Sequence, residues 1–193
     1  MPFLWRTALA LGGVRVERLG QAVEGPAVYA VNHVSVLDIP ILFAHLPADF
    51  RIIHKRSLYL FPVIGLYLYL AGHIAIDRRS PFRARRSLSQ AAARIAGGES
   101  VAVFPEGTRS ADETVLPFKK GSFVLALEAG APVVPVSLIG VKRLTPRGLV
   151  RLREGTVWLA VHQPIETAGR GPDQAQSLAE QVRAVVSLGC ARA

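Results

Sequence analysis

The sequence predicts an α/β fold in which a mostly parallel central sheet is covered by helices on both faces. Three observations carry this. Residues 26–31 and 101–104 are runs apolar throughout, and 132–139 is broken only by Ser137, as expected of strands buried on both sides. Residues 82–95 and 174–186 repeat their apolar positions with helical spacing. Strand-like and helix-like segments also alternate along most of the chain, the pattern of crossover-connected parallel strands.

In chain order, residues 1–11 read as a short helix with Phe3, Leu4, Trp5 and Leu9 as its apolar side, packed in the core or set against a membrane interface. Residues 14–19 alternate apolar and charged, a half-exposed strand. After a turn, residues 26–31 form a buried strand, and 35–46 a helix that tolerates Pro40 in its first turn. Residues 50–54 are a strand running into His54-Lys55-Arg56. Residues 64–71 are apolar all round and read as a buried helix or the wall of a lipid-sized groove. A strand at 73–76 precedes Asp77-Arg78-Arg79. The helix at 82–95 turns Leu88, Ala91, Ala92 and Ile95 inward and ends at Gly97-Gly98. The strand at 101–104 leads into Pro105-Glu106-Gly107-Thr108-Arg109-Ser110, and residues 111–118 read as irregular. A helix at 121–129 is closed by Gly130, strands follow at 132–139 and 156–162, and 174–186 is the closing helix. The whole, 1–193, reads as one domain.

Composition narrows the function. Lys and Arg number 23 against 14 Asp and Glu, a net charge of +9, so the partner is anionic: nucleic acid, a membrane surface or a phosphorylated substrate. Aromatic residues, at 7%, are too few to build a stacking platform for single-stranded nucleic acid. The single cysteine, Cys190, placed beyond the last predicted helix, excludes a disulfide framework and is a poor nucleophile; it fits a reducing compartment. The longest apolar stretch, 58–72, is short and broken by Pro62 and Gly65, so no bilayer-spanning segment is expected, nor does the N-terminus read as a signal peptide. A soluble or peripheral protein is expected.

In parallel sheets ligands bind outside the carboxyl ends of the strands. His33, Lys55, Asp77-Arg78 and Glu106 to Arg109 all follow predicted strands, so they collect on one rim. His33 and Asp38 are five positions apart, about 140° on a helix, so an undistorted helix would not join them. With His33 in the turn and Asp38 in the first turn of the next helix, the carboxylate reaches back to one ring nitrogen. That fixes the tautomer and leaves the other nitrogen to act as a general base. Lys55, Arg78, Arg109, Lys119 and Lys120 suit a phosphate monoester, held by cations and by backbone N–H groups of glycine-containing turns. Each cation alone reads as a solvated surface charge; their convergence beside a His/Asp pair does not. Phosphate-binding-loop spacing and a Gly-x-Ser-x-Gly elbow are both lacking, and His45, His54, His73 and His162 show no metal-ligand spacing and read as structural.

Asn32-His33-Val34-Ser35-Val36-Leu37-Asp38 resembles the Asn-His-x-Ser-x-x-Asp signature of the glycerolipid acyltransferases. Three further blocks follow in that family's order: Gly72-His73-Ile74-Ala75-Ile76-Asp77-Arg78, Phe104-Pro105-Glu106-Gly107-Thr108-Arg109-Ser110, and Val134-Pro135-Val136. The resemblance spans residues 27 to 140 and is nearest to the 1-acyl-glycerol-3-phosphate acyltransferases. It implies acyl transfer from acyl-CoA or acyl carrier protein to a lyso-lipid hydroxyl, with no resident cofactor or metal and no covalent acyl-enzyme. His33 would be the base and Asp38 its orienting partner. Glu106, Gly107, Thr108 and Arg109, with Lys55 and Arg78, would bind the acceptor's phosphate. The block near Lys55, Lys55-Arg56-Ser57-Leu58, departs from the family's Lys-x-Glu-Leu, and Ala75 stands where Phe is common. The expected setting is peripheral, at the cytoplasmic face of an anionic membrane, attached through residues 1–11 and the basic surface of Arg83, Arg85 and Arg86. Alternatives are a different lyso-lipid or polar acceptor, or a non-catalytic binder of anionic lipid.

Overall fold

The computed structural model describes residues 2–46, 49–77, 80–146 and 152–191. Its elements are α1 (Pro2–Leu11), β1 (Val14–Leu19), β2 (Val28–Val31), α2 (Asp38–His45), β3 (Phe50–Lys55), α3 (Pro62–Leu70), β4 (Ile74–Ile76) and α4 (Pro81–Ala96). Then follow β5 (Ser100–Val103), α5 (Gly121–Ala129), β6 (Val133–Ile139), α6 (Val141–Leu144), β7 (Gly155–Val161) and α7 (Ala175–Ala191). A 3-10 turn, Arg56–Leu60, joins β3 to α3.

Among the described residues seven strands form one sheet in the order β1-β7-β6-β2-β5-β3-β4. All four residues of β2 are buried, which its apolar sequence requires, since it pairs in parallel with β5 on one side and β6 on the other. Successive β2 residues point to opposite faces. Val28 and Ala30 pack with Ile95 of α4, Phe123 of α5 and Leu178 of α7. Tyr29 and Val31 pack with Leu9 of α1, Ile41 and Leu42 of α2 and Val141 of α6. β6 and β7 are antiparallel, whereas every other pair is parallel. The carboxyl ends of β2, β3, β4, β5 and β6 therefore share one edge, and those of β1 and β7 lie at the other.

Several sequence expectations shift. The helix expected over 35–46 starts at Asp38, because Val34 to Leu37 form the turn that receives the Asp38 carboxylate. Of the expected apolar side of α1, Leu9 is buried and Trp5 half-buried, but Phe3 and Leu4 face solvent. The buried-helix alternative for residues 64–71 does not hold: α3 buries only Gly65 and Leu68. The closing helix runs on to Ala191, so Cys190 lies within it rather than beyond it. Cys190 stays a poor nucleophile, since burial pushes its thiol up to about 11.

Candidate active site

The turn after β2 brings the sequence-predicted pair together. His33 Nδ1 and Asp38 Oδ2 are 2.7 Å apart, the ring 19% exposed and the carboxylate fully buried. Asp38 sits in the first turn of α2, where a helix favours negative charge. Its Oδ2 also accepts the backbone N–H groups of Val34 and Ser35, at 2.8 and 2.9 Å. Oδ1 is buried without a hydrogen-bond partner. An ionised carboxylate has only acceptors, so the imidazole donates Nδ1–H to it and carries its lone pair on Nε2. Phe104, just past β5, stacks on the ring with centroids 4.1 Å apart. The ring's plane and tautomer are thus both set.

Long-range hydrogen bonds pin this turn. The His33 backbone N–H donates to Glu106 Oε1 at 2.9 Å, and the Leu116 N–H donates to Oε2 at 3.2 Å. Glu106 is 2% exposed; burial pushes its carboxyl up, while those two N–H groups pull it down. Asn32 exchanges a pair of hydrogen bonds with the backbone of Leu138 in β6, at 2.9 and 2.7 Å. Ser35 Oγ accepts the Leu37 N–H and lies 2.7 Å from Thr145 Oγ1. Because Thr145 donates its own proton to the Val141 carbonyl, Ser35 donates to Thr145. Ser35 is therefore committed to structure.

The remaining predicted residues distribute as follows. Glu106 stands on the expected rim, but both carboxylate oxygens face backbone donors rather than open space. Both oxygens of Glu106, which the resemblance assigns to the acceptor's phosphate, thus already have partners within the protein. Gly107 (φ +72°) makes the tight turn that closes on Phe104 O. Thr108 and Arg109 are exposed beyond it, as are Lys119 and Lys120. Lys55, Arg56, Asp77 and Gly107 line one groove of 610 Å³ at this edge. Arg78 lies outside the described residues. Among the described residues no three His, Cys, Asp or Glu side chains are grouped as a metal site would need, and burial lowers the pKa of His45, His54 and His73. His73 falls to about 4. Its Nδ1 accepts the Ile52 N–H at 3.2 Å, a bond only the neutral ring can make. Leu116, Leu138 and Thr145 carry no sequence signal for their roles; they are about 80 to 110 positions from the turn they support.

A histidine held by a carboxylate on the strand-end rim of an α/β sheet, beside a groove lined by Lys55 and Arg56, is the arrangement that a protein activating a hydroxyl near an anionic group needs. The chain belongs to the Acyltransferase family, whose sequence model matches residues 13–139. It is 40% identical over 167 residues to the 1-acyl-sn-glycerol-3-phosphate acyltransferase of Chlamydomonas reinhardtii, 84% of this chain and 50% of that protein. It is 36% identical over 177 residues to the human 1-acyl-sn-glycerol-3-phosphate acyltransferase alpha, 90% of this chain and 62% of that one. The chain thus spans about half to three-fifths of these curated relatives. The crystal structure of PlsC, the 1-acyl-sn-glycerophosphate (LPA) acyltransferase from Thermotoga maritima, superposes with a TM-score of 0.83 at 30% identity, covering 97% of this chain and 76% of that one.

Proposed function

We propose that the protein moves a fatty acyl group from acyl-CoA or acyl carrier protein to the free hydroxyl of 1-acyl-glycerol-3-phosphate, giving phosphatidic acid. The observation that carries this is the 2.7 Å His33–Asp38 pair with its free Nε2 on the strand-end rim; the names of the relatives supply the substrate. His33 Nε2 takes the hydroxyl proton as the oxygen attacks the thioester carbonyl. The C–O bond forms, the C–S bond breaks, and the proton passes from the imidazolium to the leaving thiolate. Asp38 holds the ring and offsets its transient charge. Such base assistance is worth about 10²–10⁴-fold in rate. Ser35, occupied by Thr145, is not available as an acyl carrier, which favours direct transfer over a covalent acyl-enzyme. Lys55, Thr108, Arg109 and the turn at Gly107 are assigned to the acceptor's phosphate, while Glu106 holds the backbone N–H groups of His33 and Leu116.

The protein works at an anionic membrane surface on this reading, at its cytoplasmic face. No described helix is long and apolar enough to cross a membrane, and Arg83, Arg85 and Arg86 are exposed on α4. The test is a panel of lyso-lipid acceptors with acyl-CoA and acyl carrier protein donors, read by mass spectrometry, on wild type and His33→Ala. Phosphatidic acid from wild type and none from the variant supports the reading. A different acylated product reassigns the acceptor. No thiol release with any pair, while anionic lipid is still bound, replaces the enzyme with a lipid-binding protein.

A further inference from the structure

Residues 57–72 contain no charged side chain, yet they are not core. Leu60, Phe61, Val63, Leu66, Tyr69 and Leu70 are 56 to 83% exposed. Single exposed apolar residues need no explanation, but a contiguous strip of this kind does. Val63, Leu66 and Leu70 are three and four positions apart, so they form one outward stripe on α3. The strip is also rigid. A Cβ at Gly65 would meet Tyr59 O at 2.7 Å and Tyr59 Cα at 2.8 Å, so the 3-10 turn is clamped directly onto the helix. Beneath, Tyr67 stands edge-on to Trp5, Phe43 and His73, which anchors α3 to α1, α2 and the sheet.

Both ends of the strip are cationic. At its start, Tyr59 and Leu60 border the 610 Å³ groove together with Lys55 and Arg56. At its end, Tyr67 and Ala71 border a second cleft, of 730 Å³, lined also by Arg6 and Arg18. Among the described residues Arg6 and Arg18 make no ion pair, and their positive charges add to burial in lowering the pKa of His45, which lines the same cleft. An apolar centre with an excess of cations at either end matches the interface of an anionic bilayer: acyl chains below, phosphates at the rim. A second copy of this chain would bring cations against cations.

We propose that the apolar strip from Tyr59 to Leu70 is the face by which the protein rests on an anionic lipid surface. α3 lies flat in the headgroup region, and the groove carrying Lys55 opens at its leading end. This rests on the reading of the acceptor as a lyso-lipid, and it explains how one would arrive. The lipid slides from the surface past Leu60 into the groove without its acyl chain crossing water. α1, with Phe3 and Leu4, touches the same surface in a supporting role.

The test uses the full chain and vesicles of phosphatidylcholine with or without phosphatidylglycerol. Val63→Glu combined with Leu70→Glu should lower partition onto the phosphatidylglycerol vesicles at least about tenfold, and Phe3→Glu by less. Turnover of a short-chain acceptor below its micelle concentration should not change. A second variant, Val63→Trp, should show a blue shift in its added emission when those vesicles are present. Unaltered partition of the double variant, or no blue shift, overturns the proposal. So does a change from dimer to monomer with partition unchanged, which would make the strip a self-association face. Failure of wild type to acylate the soluble acceptor would count against the proposed reaction instead and leave the vesicle result readable.

Discussion

Glu106→Gln separates a brace from a substrate ligand. Glutamine has the shape of glutamate, but one of its two terminal atoms donates instead of accepting. In the protein both oxygens accept backbone N–H groups, from His33 at 2.9 Å and Leu116 at 3.2 Å. Either rotamer of the amide therefore sets a donor against a donor inside a site that is 2% exposed. An unpaired buried donor costs about 1–3 kcal/mol. Loss of the charge offsets part of this, because burial already disfavours the ionised form and pushes the carboxyl up. A net loss of about 1–2 kcal/mol remains, which for a chain of this length lowers Tm by about 2–8 °C.

The longer bond to Leu116 is the one that yields, so the amide oxygen stays on His33 and kcat falls modestly. Glu106→Ala releases both donors and lowers kcat further. The assays are thermal unfolding and steady-state thiol release with the acceptor varied. The KM for acceptor should stay within about twofold of wild type in Glu106→Gln, whereas Arg109→Ala, which removes an exposed cation, should raise it. A Glu106→Gln variant with unchanged Tm and a KM raised about tenfold would show that the carboxyl meets the acceptor after all, and the bracing argument would be wrong.

Other outcomes follow from the same geometry. Asp38→Asn should lower kcat by about 10²–10⁴-fold, since the amide cannot hold the Nδ1–H tautomer and accept both backbone N–H groups together; a variant with full kcat would remove Asp38 from the mechanism. His73 sits at about 4, against an ordinary 6.5. Between those values the unfolded chain takes up a proton that the folded chain refuses, so stability falls as pH drops from 6.5 towards 4, by about 3 kcal/mol in all. His73→Gln keeps an acceptor for the Ile52 N–H but does not titrate. Urea unfolding at neutral and acid pH should show wild type losing more stability than this variant; equal losses would mean His73 titrates normally.

The sequence made the His33–Asp38 pair legible because the contact is local and the strand-end rule places it. Lys55 and the Glu106 to Arg109 turn were placed on the same edge by the same rule. What escaped depends on the third dimension. Asn32 and Leu138 are 106 positions apart, Ser35 and Thr145 are 110 apart, and neither Leu138 nor Thr145 has an unusual neighbourhood in sequence. The partners of Glu106 escaped too, because they are backbone N–H groups that sequence does not display. α3 misled because a helix apolar on every side has no phase to say which side is covered. The reversal of β1 and β7 was hidden because one-strand burial patterns do not encode strand direction.

The dyad's wiring also bears on how the resting site is poised. The turn's backbone is tied twice to the loop beyond β5, through His33 N–H to Glu106 and Ser110 N–H to His33 O at 2.8 Å, and to β6 through Asn32. With Phe104 against its face, the imidazole keeps little freedom to lose when substrate arrives, so its orientation is settled at folding rather than at binding. Asp38 is lopsided in the same resting state: three donors converge on Oδ2, and Oδ1 is buried with none. A fully buried carboxylate beside a neutral ring has its charge only partly answered. In the proposed mechanism, His33 accepts the hydroxyl proton, and the positive charge then appears 2.7 Å away and completes the pairing. The interaction is thus stronger after proton transfer has begun than before it, which is the condition for a contact to raise kcat and not merely tighten binding.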